Sequence, residues 1–283
     1  QQSATTQLTK NENKYYNYFR DNALTYNDQW GKHGIGAMAG YSMRQEQWRM
    51  FEGKASNVPD GADEYWYIKN GDAAGATVKD YGYCYRGISY FARLNYIYAD
   101  QYLLMLTMRA DGSSKYQEHW GYFPSVGAAW VLSEESFLKN QKWIDFLKLR
   151  ASWGKLGNVQ VAASDGFASI STGNSASGVF GNATIPGYQN NTYFSWLKWE
   201  VVEEWNAGIN FITLNNRLNI DVDYYHRMTN NAVIAPLLPF STTTLAGNYG
   251  KILNSGIDVS VDWNDRIGKD FPYNIGANIS TLR

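Results

Sequence analysis

Apolar and polar residues alternate along several segments of this chain, and this alternation constrains its fold more than any other feature. In segment 102–109 the even-numbered residues are all apolar or aromatic, whereas Arg109 has the opposite parity. Segment 146–153 likewise separates its leucines from Lys148 and Arg150. Successive side chains of a strand point to opposite faces of the sheet. The pattern therefore predicts β-strands with one apolar face and one polar face.

Two environments accept strands of this kind. A soluble β-sandwich buries the apolar faces between two sheets, whereas a membrane β-barrel turns them to lipid and keeps the polar faces in its lumen. In segments 217–228, 249–263 and 271–283 the apolar bands are short and often end in Tyr or Trp. A tilted strand crosses a bilayer with ~9–11 residues and places aromatic residues at both interfaces. The bands therefore favour the barrel.

The chain is predicted to be all-β, with about ten strands in an antiparallel up-and-down transmembrane β-barrel. The predicted strands are 15–26, 33–51, 81–98, 101–110, 121–132, 146–155, 196–214, 217–228, 249–263 and 271–283.

Short and long connections alternate between the predicted strands. The long ones are 52–80, 111–120, 158–195 and 230–248, and they are rich in Gly, Ser, Asn and Thr. The others are short, apart from segment 133–143, which is intermediate in length and is counted with the short ones. An up-and-down barrel has tight turns at one end and long loops at the other, whereas Greek-key connections of a sandwich do not sort in this way.

Composition argues against several classes of partner and site. The net charge of −1 gives no electrostatic reason to expect a nucleic-acid partner. The single cysteine, Cys84, can form no internal disulfide, and the three histidines have no ligand spacing, so we expect no metal and no cofactor. The first residues lack the features of a signal peptide and the last still alternate. We expect the chain to be a mature product or a fragment of a larger protein, and the alternation at its end favours the fragment.

Paired carboxylates are the one hint of catalysis. Glu203 with Glu204, or Asp221 with Asp223, could act as the acid and base of a glycoside hydrolase. Polar lining of a barrel lumen explains Glu204, Asp221 and Asp223 more simply, and we predict no enzyme. Glu203 shares parity with the apolar residues of its strand. We therefore expect it above the membrane, with Trp205 at the boundary, or at a β-bulge.

Two sets of residues are candidates for binding. Exposed loop aromatics could stack on sugar rings, although packing between loops explains them equally well. These loop candidates are Tyr65, Trp66, Tyr67, Tyr193 and Trp196. Inward polar residues would line the lumen of the predicted barrel. These lumen candidates are Arg93, Arg109, Lys148, Arg150, Glu200, Glu204, Asp221 and Asp223.

Several short motifs follow one another in a specific order. Residues 91–96 read FARLNY, 109–114 RADGSS, 121–125 GYFPS and 147–154 LKLRASWG, with DYY at 223–225 and NSGID at 254–258. In this order they resemble the SusC/RagA-type TonB-linked outer-membrane transporters of Bacteroidetes. The resemblance covers nearly the whole chain, and the ordered set is far more specific than any single motif.

The resemblance implies a large barrel of ~22 strands with a plug in its lumen. Such proteins import oligosaccharides or peptides across the outer membrane, energised by the TonB–ExbB–ExbD complex, under a SusD-like lipoprotein lid. The resemblance implies that the loop aromatics could also contact this lid and that some of the inward charged residues hold the plug by ion pairs. This chain departs from the family pattern because the plug and about half of the strands are absent. A soluble aromatic-rich β-sandwich that binds or hydrolyses carbohydrate is the alternative. A barrel for a siderophore or cobalamin is the second alternative.

Overall fold

The computed structural model contains twelve β-strands and four short 3₁₀ helices among the residues that it describes. Those residues are 6–59, 61, 63–159, 170–180, 183–190, 197–234, 236, 247–268 and 270–283. The strands are β1 Gln7–Trp30, β2 His33–Ser56, β3 Thr77–Tyr98, β4 Tyr102–Ser113, β5 Trp120–Val131, β6 Phe146–Asn158, β7 Ile170–Phe180, β8 Ala183–Asn190, β9 Glu200–Thr213, β10 Leu218–Ile234, β11 Gly247–Ile267 and β12 Phe271–Ser280. The 3₁₀ helices are Asp63–Tyr65, Ile68–Asn70, Ala73–Gly75 and Leu132–Glu134. No helix of the described residues is long and apolar enough to cross a bilayer.

The predicted up-and-down sheet is confirmed. Ten strands form one sheet in the order β1-β2-β3-β4-β5-β6-β9-β10-β11-β12, so nearly every strand pairs with its neighbour in the chain. The exception lies between β6 and β9, where β7 and β8 form a separate two-stranded sheet. The prediction of a loop without strands at 158–195 is therefore wrong. Its Gly- and Ser-rich sequence has no apolar alternation from which strands could be predicted.

The chain divides into two compact units. Unit 1 consists of Gln1–Arg20 and Met43–Gly87, and unit 2 of Asp21–Ser42 and Ile88–Arg283. Unit 1 holds parts of β1, β2 and β3 with the three 3₁₀ helices that follow β2.

At one edge of unit 2, called the turn side, most strands are joined by tight turns, whereas the longer segment 132–145 joins β5 to β6. Ala99 and Asp100, between β3 and β4, have φ of 53° and 57°. Positive φ at both central residues is the geometry of a type I′ hairpin, whose twist matches that of the strands. The turn between β9 and β10 also uses left-handed residues, from Leu214 to Asn216. The opposite edge is called the loop side, and its connections range from the short segment 114–119 to the segment that contains β7 and β8.

Cross-strand register separates an apolar face from a polar face in unit 2. One row of directly paired residues crosses six strands without a polar interruption, and it consists of Leu104, Ala128, Ala151, Ala207, Tyr224 and Ile257. The apolar residues are not buried against a second sheet, since Leu104 is 39% exposed and Ile279 on β12 is 70% exposed. A soluble sandwich would bury this face, so its exposure argues against the sandwich.

The polar face lies opposite. Its rows include Arg150, Gly208, Asp223 and Asp258, which pair in this order across β6, β9, β10 and β11. The buried core is small and sits on the loop side, where Tyr116, Phe123, Leu197 and Trp199 form one cluster.

Candidate functional site

A network of ion pairs connects three strands on the polar face. The Arg150 guanidinium on β6 donates from Nη2 to Asp221 Oδ1 at 2.7 Å and from Nε to Asp223 Oδ1 at 3.2 Å, both on β10. Nη2 also contacts Asp223 Oδ2, and Nη1 donates to Asn210 Oδ1 on β9 at 2.6 Å. Asn210 in turn donates to Asp221. The structure thus joins three lumen candidates, Arg150, Asp221 and Asp223, in one network, and we call it the Arg150 staple.

Gly208 makes the staple possible. In the register of the sheet, Gly208 on β9 lies directly between Arg150 and Asp223. A Cβ at this position would lie 2.3 Å from Asp223 Oδ1 and 2.6 Å from Arg150 Nε, distances that nonbonded atoms do not adopt. The absent side chain lets the guanidinium cross the backbone of β9 and reach the carboxylate on the next strand.

The staple also offsets a repulsion. Asp223 pairs directly with Asp258 on β11, and like charges in this position destabilise a sheet. The Arg150 cation lies on the other side of Asp223 and compensates part of this charge. The exposed fractions of these side chains, 30% for Arg150 and 24% for Asp223, place the network in contact with water rather than in a dry core.

The remaining lumen candidates do not join the staple. Glu204 on β9 accepts from Arg227 Nε on β10 at 2.7 Å, and Glu200 accepts from the Asn158 side chain at 2.8 Å. Glu200 also accepts from the backbone N–H of Val233. On β4, Arg109 Nε donates to both carboxylate oxygens of Asp111 at 2.8 Å.

Lys148 and Arg93 have looser surroundings. Lys148 Nζ lies 5.8 Å from the ring centroid of Phe146, and Arg93 is exposed on β3. Neither takes part in an ion pair between described residues. Lining of a lumen by any of these side chains stays a prediction.

Aromatic residues and a carboxylate meet at the turn-side end of the apolar face. The rings of Tyr102 and Trp130 stack with centroids 6.1 Å apart, and both donate to Glu135 Oε1, at 2.6 and 2.9 Å. These bonds, first that from Tyr102 and then that from Trp130, hold the pKa of the Glu135 carboxyl below its usual value. Tyr102, Trp130 and Glu135 thus form one cluster at this end of the apolar face.

A similar arrangement occurs at the loop-side end. Trp153 on β6 and Trp205 on β9 face each other with ring centroids 5.9 Å apart. The Trp153 indole N–H donates to Glu203 Oε1 at 2.8 Å. The register of β9 runs through Glu203 without interruption on both sides, so the alternative of a bulge is wrong. Glu203 is tolerated on the apolar face because it lies at the aromatic boundary and accepts a hydrogen bond there.

The loop candidates of unit 1 are exposed. Tyr65 ends one 3₁₀ helix, and Trp66 and Tyr67 follow it. The Tyr67 ring has two cations near it, with Lys10 Nζ 4.9 Å and Lys69 Nζ 5.8 Å from its centroid. The other two loop candidates, Tyr193 and Trp196, lie outside the described residues.

The core cluster on the loop side fixes several connections. Tyr116 is fully buried, its ring lies 4.8 Å from that of Trp199, and its hydroxyl donates to the Asn158 carbonyl at 2.7 Å. The Trp199 indole N–H donates to the Glu118 carbonyl at 3.1 Å. These contacts join the β4–β5 connection to the end of β6 and the start of β9.

Sequence reasoning missed Gly208, Asn210 and Arg227, which complete the networks. Single-strand alternation gives the face of each residue but not its neighbour on the next strand. A register inferred by matching the polar faces of β6, β9 and β10 would have placed Gly208 between two opposite charges.

Comparison with known proteins agrees with this geometry. The model of the family described as TonB dependent receptor-like, beta-barrel matches residues 2–282. TonB-dependent receptor SusC of Bacteroides thetaiotaomicron is 33% identical over 200 residues, which cover 68% of this chain and 20% of SusC. TonB-dependent receptor P3 of Formosa agariphila is 30% identical over 276 residues, which cover 93% of this chain and 26% of that protein. The chain thus spans about a quarter of the length of these relatives or less.

Two solved structures share the fold. The RagAB peptide transporter superposes with a TM-score of 0.82 at 23% sequence identity, covering 97% of this chain and 31% of the other. The outer membrane transporter YddB from Escherichia coli superposes with a TM-score of 0.60 at 13% identity, covering 94% of this chain and 34% of the other. The chain belongs to the family of TonB-dependent receptor-like β-barrels.

Proposed function

We propose that this chain forms part of the barrel wall and extracellular loops of an outer-membrane TonB-dependent importer. The observation that carries the proposal is the exposed apolar face, which is bounded by Tyr102 and Trp130 on the turn side and by Trp153 and Trp205 on the loop side. Such a band between aromatic girdles fits the hydrocarbon layer of a bilayer. The opposite face carries the Arg150 staple and suits a wet lumen.

The orientation of the wall follows from its connections. Outer-membrane barrels have short turns on the periplasmic side and longer loops outside. The type I′ turn at Ala99 and Asp100 would then face the periplasm, and the core around Tyr116 would lie near the cell surface. Glu203 would sit at the outer boundary of the membrane, where a carboxylate can reach water.

Further strands and a plug would complete the barrel. Within the described sheet, β1 and β12 each pair with only one strand. An open edge has unpaired N–H and C=O groups, which lipid cannot satisfy. We propose that strands outside this chain close the barrel and that a plug domain fills its lumen, held in part by inward charged residues such as Arg109 and Glu204.

The proposed cargo is an oligosaccharide, with a peptide as the alternative. Exposed aromatics such as Trp66 and Tyr67 provide rings that can stack on sugars. The alternative is favoured by one observation, the shared fold with a structure described as a peptide transporter.

Partners would act at the two ends of the barrel. A SusD-like surface lipoprotein would close over the loop side, and the TonB–ExbB–ExbD complex would act through a plug. Capture under the lid, followed by a TonB-driven change of the plug, would open a path for the substrate.

A catalytic role has little support. Glu203 and Glu204 point to opposite faces of β9, since one contacts Trp153 and the other Arg227. They cannot flank one glycosidic bond as acid and base. Asp221 and Asp223 do share a face, but both already pair with Arg150.

Fractionation combined with uptake tests the proposal. We expect the protein in the outer-membrane fraction, soluble only after detergent extraction, and we expect cells to accumulate a labelled oligosaccharide only when TonB is present. The matched control is the same strain without TonB. Recovery of the protein in the soluble fraction, or equal uptake in both strains, would refute the proposal.

A further inference from the structure

Unit 1 carries a cluster of aromatic rings on one face of its sheet. The ring of Trp48 on β2 lies 6.2 Å from that of Tyr15 on β1, and 5.4 and 5.8 Å from those of Tyr81 and Tyr83 on β3. Trp48 is half-buried by these neighbours, whereas the three tyrosines are 67%, 52% and 43% exposed. We call these four residues the Trp48 cluster. Contiguous exposed aromatic surface of this kind marks an interaction site.

Amide groups border the cluster. The Trp48 indole N–H donates to Asn13 Oδ1 at 3.1 Å, which places Asn13 on the same face as the rings. Alternation along β1 puts Asn11 and Asn17 on that face as well, on either side of Tyr15. Amides offer both donors and acceptors, so they match the hydroxyl groups of a sugar.

Charges beside the cluster are paired with one another. Lys79 Nζ contacts Glu52 Oε1 at 3.0 Å, and Arg44 contacts Glu46. A surface whose charges are neutralised internally gives no electrostatic preference for an acidic or a basic ligand. Its chemistry is that of a neutral ligand with flat apolar faces and a polar rim.

We propose that the Trp48 cluster is a binding surface for a neutral oligosaccharide, a proposal that rests on the proposed function of an importer. Tyr and Trp rings have an apolar body and a polar tip, and the C–H faces of a sugar ring can lie on them while its hydroxyls reach the amides. A charged peptide would gain no electrostatic attraction from side chains that already pair with one another. Binding here would hold the substrate on unit 1.

Calorimetric titration of the purified protein tests this surface. The probes are a panel of neutral gluco-, xylo-, manno-, galacto- and fructo-oligosaccharides, with a tryptic digest of casein as the peptide probe. We expect at least one oligosaccharide to bind. Tyr15→Ala should raise its Kd by ~10-fold, since the loss of one ring contact reduces the binding free energy by an amount of the order of 1 kcal/mol. The double variant Tyr15→Ala with Tyr81→Ala should abolish binding.

Tyr18→Ala is the matched control. Tyr18 lies on β1 and is 63% exposed, close to the 67% of Tyr15, but alternation places it on the opposite face. Its Kd should stay within about twofold of the wild type, since no cluster ring is removed. Because Tyr15 is so exposed, its truncation should not impair folding, and circular dichroism of each variant checks this.

The outcomes separate this proposal from the broader one. Equal weakening by Tyr15→Ala and Tyr18→Ala, peptide binding that depends on the cluster, or no binding by any oligosaccharide would each overturn the Trp48 cluster as a sugar site. If TonB-dependent uptake of an oligosaccharide persists while cluster variants bind as the wild type does, the importer stands and this surface fails. Cluster-dependent binding without TonB-dependent uptake would support the surface and refute the importer.

Discussion

Substitution of Gly208 by Ala tests whether the Arg150 staple depends on a missing side chain. The added Cβ would lie 2.3 Å from Asp223 Oδ1 and 2.6 Å from Arg150 Nε. Both charged groups would have to move apart, and the hydrogen bonds from Arg150 to Asp223 would be lost. We therefore expect Gly208→Ala to destabilise the protein, although Ala ordinarily stabilises a strand relative to Gly.

The magnitude follows from the opposing contributions. Hydrogen bonds to charged groups contribute ~1.5–3 kcal/mol, and partial exposure of Arg150 and Asp223 moves the value toward the lower limit through solvent screening. Removing a strand glycine returns ~0.5–1 kcal/mol. The net expectation is a loss of about 1 kcal/mol in the free energy of unfolding.

A double-mutant cycle with Arg150→Met isolates this effect. Denaturant unfolding of the protein in detergent, followed by electrophoretic mobility of the folded barrel, gives the free energy for each variant. Gly208→Ala should destabilise the wild type but be neutral or slightly stabilising when Arg150 is already Met, giving a coupling energy of ~1–2 kcal/mol. Equal effects of Gly208→Ala in both backgrounds would refute the crossing of β9 by the guanidinium.

Gly127→Ala is the matched control. Gly127 lies on β5 opposite Ser152, and its added Cβ would meet only ordinary contacts, 3.7 Å to Met105 Cε and 3.8 Å to Ser152 Cβ. We expect it to leave stability unchanged or to raise it by ~0.5 kcal/mol.

Three further predictions concern the boundaries of the apolar face and the loop-side core. The pKa of Glu135 is lowered in the folded state, so the ionised carboxylate stabilises the protein above the unfolded pKa, and this stabilisation is lost as pH falls through the folded pKa. Glu135→Gln should therefore flatten the acid limb of a stability–pH profile measured by denaturant unfolding. An unchanged acid limb would contradict the stabilising role of Glu135. Trp153→Phe keeps a ring but removes the donor to Glu203, and unfolding should show a loss of ~0.5–1.5 kcal/mol. The loss should disappear in a Glu203→Leu background, which has no acceptor, and an equal loss there would contradict the role of this bond. Tyr116→Phe removes the hydroxyl that donates to the Asn158 carbonyl, and it should lower the free energy of unfolding by ~1–2 kcal/mol. Amide hydrogen exchange at the end of β6 should become faster, and unchanged exchange there would contradict the role of this core in fixing the connections.

Much of the fold could be predicted because alternation reports which face each residue occupies. The parity of Leu104, Tyr224 and Ile257 predicted one apolar face, and the register places them in one row. The β7–β8 hairpin was not predictable in this way, since a Gly- and Ser-rich strand has no apolar parity. Strand length was also underestimated for β1, which runs over Gln7–Trp30 rather than starting at Tyr15.

The candidate site was predictable only as a set of inward residues. Parity assigned Arg150 and Asp223 to the same face, but their contact depends on register and on Gly208 between them. Glu203 shows the same limit. Its parity correctly places it on the apolar face, where the cost of an unpaired carboxylate favours a bulge over a regular strand. The hydrogen bond from Trp153, a residue of another strand, is what makes the regular strand acceptable.

These side-chain networks specify what alternation leaves open. A slip of one residue between two strands would turn apolar side chains to the wrong face and is strongly disfavoured. A slip of two residues would keep every face correct and every backbone group paired, so the apolar pattern alone cannot exclude it. Between β6 and β9 it would, however, replace Gly208 opposite Arg150 by Asn206 or Asn210, whose side chains would block the path of the guanidinium across β9. The staple on the polar face therefore selects one register among those that the apolar pattern permits.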